Sequence, residues 1–247
     1  MGDTPLSYFV DRLSTSRPLS PKTIQKFKHL RLEALSSNPS SFLATFDYEK
    51  GFTDDQWRQL ILDPTHHYLI CHTSREREGI AVHEDNLIRE EWTTEDEWVG
   101  ILLLLGPYQT GDYGATPLLQ PTALGADDEE TRWHLTSLYL QPDHRREDSF
   151  TIIHEAILGY LRVWTDEHLA TKFADETNLE KPKRARVAGL LRTEDDQLLE
   201  MYKMLAGQTV GWADRRLGAR IAGIDHSPEG EPLEELNMRI MERIIEC

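Results

Sequence analysis

Cysteine is nearly absent: the 247 residues contain two, Cys71 and Cys247. Thiols that far apart, one in an apolar run and one at the last position, give neither a disulfide framework nor a zinc-ligand spacing. No run approaches the roughly 20 apolar residues of a membrane helix. The start, Met1-Gly2-Asp3-Thr4-Pro5, lacks the basic and apolar segments of a secretory signal. Basic residues are outnumbered, 27 against 43 acidic ones, for a formal net charge of −16. Phosphate contacts need a basic face, so nucleic acid is not an expected partner, and neither is an anionic membrane surface. There is no Walker loop and no Gly-x-Ser-x-Gly elbow. His154-Glu155 is not followed by a second histidine at metalloprotease spacing, and His66, His67 and His72 lack a fitting Cys or carboxylate. The expectation is a cytoplasmic globular protein, without a metal, that acts on a small molecule. Nothing in the sequence speaks to oligomeric state.

What is present is an alternation of short β patterns and amphipathic helices. Residues 1–7 read as a tail, and Tyr8 to Leu13 as a first strand. Ser20-Pro21 is an N-cap with proline at the first helical position, followed by Ile24, Phe27, Leu30, Leu32 and Leu35 at helical spacing. Thr53 and Gln56 have the spacing of a capping box, with Asp63-Pro64 closing that helix. Strands are expected at 67–72, at the apolar run 97–106, at 184–191 and at 236–241. Helices are expected from Thr193 through Leu205 and over 212–222. Residues 74–96 and 107–130 are polar and punctuated, and read as loops. The fold class is α/β, a mixed sheet flanked by helices in a single domain over 1–247, with polar insertions at 74–96 and 109–130.

The stretch 133–149 organises the rest. Leu135, Leu138 and Leu140 lie in a β pattern that Pro142 stops. Asp148 and Ser149 suit the N-cap of a helix carrying Phe150, Ile153, Ile157, Tyr160, Leu161 and Trp164. A strand that enters a helix through a tight loop presents backbone N–H groups and a helix dipole to an anion.

The run Leu138-Tyr139-Leu140-Gln141-Pro142-Asp143-His144-Arg145 resembles the fourth strand and pyrophosphate loop of the GNAT acyltransferase superfamily. Three further stretches agree in order. Residues 31–42 resemble the family's first helix and turn, Val99-Gly100 the start of its third strand, and 199–205 its tyrosine-bearing helix. The resemblance implies a GNAT-like fold and acetyl-CoA as cofactor. Backbone groups of Leu138 and Leu140 would meet the acyl and pantetheine groups, and Arg145, Arg146 and Ser149 the pyrophosphate. It also makes Tyr202 the acid that protonates the departing thiolate. His134, at the start of the strand, is a candidate base because its ordinary pKa lies nearest neutrality. The competing readings are a core tyrosine with a satisfied hydroxyl and an exposed or packed strand histidine. Glu97 and the acids at 127–130 are further candidates for a base or an amine anchor, with solvated loop charge as the reading preferred over that role.

The family's small loop residues fall at Arg146, Asp148 and Phe150, none of them glycine or alanine, and Ala206-Gly207 stands where Gly-Phe is usual. Three functions therefore stay open. One is an acyl-CoA-dependent N-acyltransferase acting on a small-molecule or peptide amine. A second is an enzyme of the same fold that has lost acyl-CoA and runs cofactor-free acid–base chemistry, such as cyclisation, isomerisation or dehydration. The third is a non-catalytic binding module.

Overall fold

The computed structural model describes residues 7–13, 19–42, 44–74, 96–114, 123–172, 183–191, 196–213 and 238–247. In chain order the elements are β1 (Ser7–Arg12), α1 (Pro21–Ser37), α2 (Phe46–Glu49), α3 (Asp54–Leu62), β2 (His66–Ser74), β3 (Glu97–Leu105), α4 (Thr110–Gly114), β4 (Glu130–Leu140), α5 (Glu147–Lys172), β5 (Arg184–Leu191), α6 (Asp196–Ala206), β6 (Gln208–Ala213) and β7 (Met238–Glu246). Seven strands form one sheet in the order β1-β2-β3-β4-β5-β7-β6. The β4–β5 pair is parallel, while β1–β2, β5–β7 and β6–β7 are antiparallel. This is the mixed sheet flanked by helices that the sequence resemblance implies. Among the described residues no helix is long and apolar enough to cross a membrane.

The chain divides into two compact units, residues 1–104 with 137–156, and residues 105–136 with 157–247. In the first, the Ser20 hydroxyl accepts from the Thr23 amide at 3.0 Å and starts α1. The helix buries Ile24, Phe27, Leu30, Ala34 and Leu35. Phe27 packs edge-on against Tyr68 of β2 at 4.8 Å and against Trp57 of α3 at 6.0 Å. The Thr53–Gln56 capping box is present at the start of α3.

Gly100 lets β3 lie close to the end of β4. A Cβ there would stand 2.9 Å from the Tyr139 carbonyl, 2.8 Å from Leu140 Cδ1 and 3.1 Å from Cys71 Cβ. Gly100→Ala is expected to cost about 1–3 kcal/mol, the usual range for overpacking. Urea unfolding checks this, and an unchanged midpoint would show that the strands move apart at no cost.

In the second unit, β4 and β5 pair from Glu130↔Arg184 to Leu135↔Gly189, and the ladder ends there. Side chains alternate across a strand. On one face, Trp133 meets Trp164 of α5 edge-on at 4.8 Å. Gly189 lies on that face too, where a Cβ would meet Ala206 and Tyr202 of α6 at 2.9 and 3.2 Å. The other face carries Glu130, Arg132, His134 and Thr136, all buried although polar.

Four expectations are corrected. Trp212 and Ala213 belong to β6, not to a helix, because pairing with Arg239 and Met238 of β7 sets their backbone; residues 214–222 lie outside the described residues. Helix α5 runs on to Lys172, about two turns past Trp164 where the expected apolar spacing stops, because Thr165 and Leu169 continue its buried face. Within 107–130, α4 forms a short helix where a loop is expected. Asp148 and Ser149 sit inside the first turn of α5 and not at its N-cap, since the helix begins at Glu147. The expected tail, except Ser7, the core of the 74–96 insertion and residues 115–122 lie outside the described residues.

Candidate functional site

Past Leu135 the chain takes a conformation rare for a side-chain-bearing residue: Ser137 has φ +56°, in the region L-residues seldom occupy. Leu138, Tyr139 and Leu140 then complete β4, all buried. Pro142–His144 makes one 3-10 turn, and α5 starts three residues later. Leu138, Leu140, Arg145, Arg146 and Ser149 are thus gathered at one strand–turn–helix junction in the first unit.

The junction is closed on itself. The His144 amide bonds to the Gln141 carbonyl at 2.9 Å, Arg145 to Pro142 at 3.1 Å, Arg146 to His144 at 3.0 Å and Phe150 to Arg146 at 3.0 Å. The Ser149 amide is held by its neighbour's carboxylate, Asp148 Oδ1, at 2.9 Å. Of the amides from 144 to 150, only those of Glu147 and Asp148 lack such a bond among the described residues. Ser149 is fully buried. Its hydroxyl lies 2.6 Å from the His144 carbonyl and accepts from the Arg146 amide at 3.1 Å. Ser149 is therefore corrected from an anion ligand to an internal brace. Arg145 also turns inward, donating from Nε to the Leu140 carbonyl at 2.8 Å, with its guanidinium over the Tyr139 ring. Among the described residues, the Arg146 side chain takes no part in bracing the turn. The open surface at the helix start is lined by Glu147, Asp148, Thr151 and Ile152, two of them carboxylates.

Three contacts fix this junction within its unit. Tyr139 donates to Glu33 of α1 at 3.0 Å, and Gln141 donates to the same carboxylate at 3.0 Å. The Tyr8 hydroxyl of β1 lies 3.2 Å from His144 Nδ1.

The other candidates, His134 and Tyr202, lie in the second unit, on opposite faces of the β4–β5 pair. Tyr202 is fully buried with its ring edge against Gly189. His134 is stacked on Tyr113 of α4, 4.9 Å between centroids and 13° between planes, and Tyr108 closes on it at 5.0 Å. Among the described residues, His134 Nδ1 and the hydroxyls of Tyr113 and Thr136 have no hydrogen-bond partner. Burial pushes the His134 imidazole down to about 3, far from the near-neutral value that made it a candidate base.

That depression has a consequence for stability. Below about pH 6.5 the unfolded chain protonates this imidazole while the folded chain does not. Stability is fully present above that pH and is lost at about 1.4 kcal/mol per unit as pH falls toward the folded value. Urea unfolding of the parent and His134→Gln at pH 7, 6 and 5 reads this out. The variant is expected to lack that slope; equal slopes would refute it.

Sequence reasoning missed the ionic cluster beside His134. Glu130 sits at its centre, meeting Arg132 Nε at 3.1 Å, Arg184 Nε at 2.7 Å and Arg186 Nε at 2.9 Å. Arg186 also donates to Glu242 at 2.7 Å, and Arg132 to Asp127 at 2.6 Å. Asp127 in turn accepts from the Thr110 amide and hydroxyl at 2.9 and 2.7 Å, which anchors α4 over His134. Asp127 and Glu130 are corrected from solvated loop charge to partners in this network. Glu97 is exposed, as expected. The signal was in the sequence: Glu130, Arg132, His134 and Thr136 occupy alternate positions of one strand, so their shared face had to be either wet or internally paired.

No family model matches the sequence, and no curated protein does. Solved structures do. NAA60 of Arabidopsis thaliana, solved with acetyl-CoA, is similar over 98% of this chain and 99% of its own, at 8% identity and a TM-score of 0.47. A putative acetyltransferase of Acinetobacter baylyi is similar over 97% and 94%, at 8% identity and a TM-score of 0.46. The spermidine N-acetyltransferase of Vibrio cholerae, solved with CoA and spermine, is similar over 97% and 96%, at 10% identity and a TM-score of 0.41. At these scores the likenesses add nothing about ligand or chemistry. The mixed seven-stranded sheet and the junction after β4 stand on their own geometry.

Proposed function

We propose that the protein is an acyl-CoA-dependent N-acyltransferase acting on a small-molecule or peptide amine. The observation that carries this reading is the early end of the parallel β4–β5 ladder at Leu135↔Gly189. Beyond a ladder's end the strand edges keep unused N–H and C=O groups, which an extended ligand can pair with. In this reading Leu138 and Leu140 offer main-chain groups to the acyl and pantetheine portions. Arg146, with the amides of Glu147 and Asp148, attracts the pyrophosphate. Tyr202 returns a proton to the departing thiolate.

A second reading has its own support. With the Ser149 amide occupied by Asp148, the helix start already holds the negative charge that a pyrophosphate would bring. An enzyme of this fold without acyl-CoA follows if that closure persists. Calorimetric titration of acetyl-CoA at low salt separates the two. Micromolar binding weakened by Arg146→Ala supports the transferase. Absence of binding rejects it and favours cofactor-free chemistry.

A further inference from the structure

Resting on the transferase reading, we propose that His144 is a further binding residue of the β4–α5 junction, and that its imidazole takes up a proton when the pyrophosphate of acyl-CoA arrives. The ground is the charge carried by the turn. Residues 143–148 hold two arginines, Arg145 and Arg146, against three carboxylates, Asp143, Glu147 and Asp148. Arg145 is folded back onto the Leu140 carbonyl and the Tyr139 ring. A pyrophosphate therefore meets an excess of negative charge at this turn, and like charges oppose its binding. Histidine is the side chain whose ordinary titration lies nearest neutral pH, and a proton on His144 brings the turn into balance.

The ring is placed for this role. His144 is half-buried, between the end of β4 and the start of α5. Its Nδ1 lies 3.2 Å from the Tyr8 hydroxyl of β1, and the two rings meet edge-on at 5.8 Å. A hydroxyl donates to a bare nitrogen or accepts from an N–H, so Tyr8 holds the ring in both charge states. Arg146 and Asp148 act on this hydroxyl from the junction with opposite sign, and Cys71 acts on it from β2. Burial pushes the Tyr8 phenol above its usual range and the Cys71 thiol up to about 12, so both stay neutral. From α1, Glu33 is engaged by Tyr139 and Gln141. All of these residues belong to the first compact unit. An anion attracted by Arg146 enters the same local field, and a nearby opposite charge favours the imidazolium.

The test is calorimetric titration of dephospho-CoA, which lacks the phosphate monoester of CoA and its second ionisation near pH ~6. Repeating it at pH 6.5 in two buffers of different ionisation enthalpy counts the protons bound with the ligand. The expected result is uptake of about half a proton per ligand, and binding about fivefold tighter at pH 6 than at pH 7.5. His144→Gln keeps an N–H donor without a titrating group; it is expected to abolish both effects. Binding to the parent protein without proton uptake overturns the role of His144 and leaves the transferase reading standing. So does uptake that persists in the variant. Binding of acetyl-CoA but not of dephospho-CoA overturns it too, since the affinity would then lie in the phosphate monoester. If neither binds, the transferase reading falls and this inference with it.

Discussion

Glu130→Gln is expected to destabilise the protein by about 3–5 kcal/mol, the cost of leaving buried charge without its partner. Arg132 and Arg186 have no exposed surface and meet Glu130 at 3.1 and 2.9 Å. An amide in place of the carboxylate removes one negative charge from among three guanidinium groups and turns an acceptor into a donor. At roughly 2–4 °C per kcal/mol for a chain of this size, the melting temperature should fall by roughly 6–20 °C. Glu97→Gln, at an exposed position, is the control. A drop no larger than the control's would mean that water or a rearranged Glu242 screens the arginines.

The second large effect concerns acyl-CoA. Replacing Glu147 by Gln together with Asp148 by Gly is expected to tighten CoA binding on the order of 100-fold. A carboxylate about 5 Å from a phosphate costs about 3 kcal/mol at an effective dielectric of 20, and solvent and salt reduce this at an open surface. The double variant removes two such carboxylates and releases the Ser149 amide that Asp148 Oδ1 now holds at 2.9 Å. Calorimetry at low and high salt reads both contributions. If the affinity is unchanged at low salt, the carboxylates do not face the cofactor, and the assignment of this junction to pyrophosphate is lost.

Much of this architecture was legible because its determinants are local. The Thr53–Gln56 box, the Ser20-Pro21 start and the stop at Pro142 each act within a few residues, and all three are found. The close approach at Gly100 was legible only as a resemblance; its reason, the Tyr139 carbonyl 2.9 Å from a Cβ there, is tertiary. Strand β6 was not legible. Gln208 to Ala213 has no clear alternation, and its extended form depends on β7, more than two dozen residues later. Leu138, Leu140, Arg145, Arg146 and Ser149 fall at the β4–α5 junction because they are close in sequence, but their hydrogen bonds were not foreseen. Whether Ser149 faces a ligand or its own loop depends on where the His144 carbonyl lies. The ionic cluster was misread for a related reason: Glu130 and Arg186 are 56 positions apart, and only the parallel register brings them together.

The bond between Tyr8 and His144 makes the first strand a tether for the turn that follows β4. Strand β1 lies at one end of the sheet and is held by its ladder to β2 and by Asp11, which pairs with the buried His72 at 2.8 Å. End strands are among the first segments to open in local unfolding. When β1 peels away, His144 loses its hydroxyl partner and the 3-10 turn loses an anchor. Amide hydrogens at 144–146 should therefore exchange with solvent in step with those of β1, as one cooperative opening. Trimming the chain before residue 13 should then speed their exchange at a site far away in sequence.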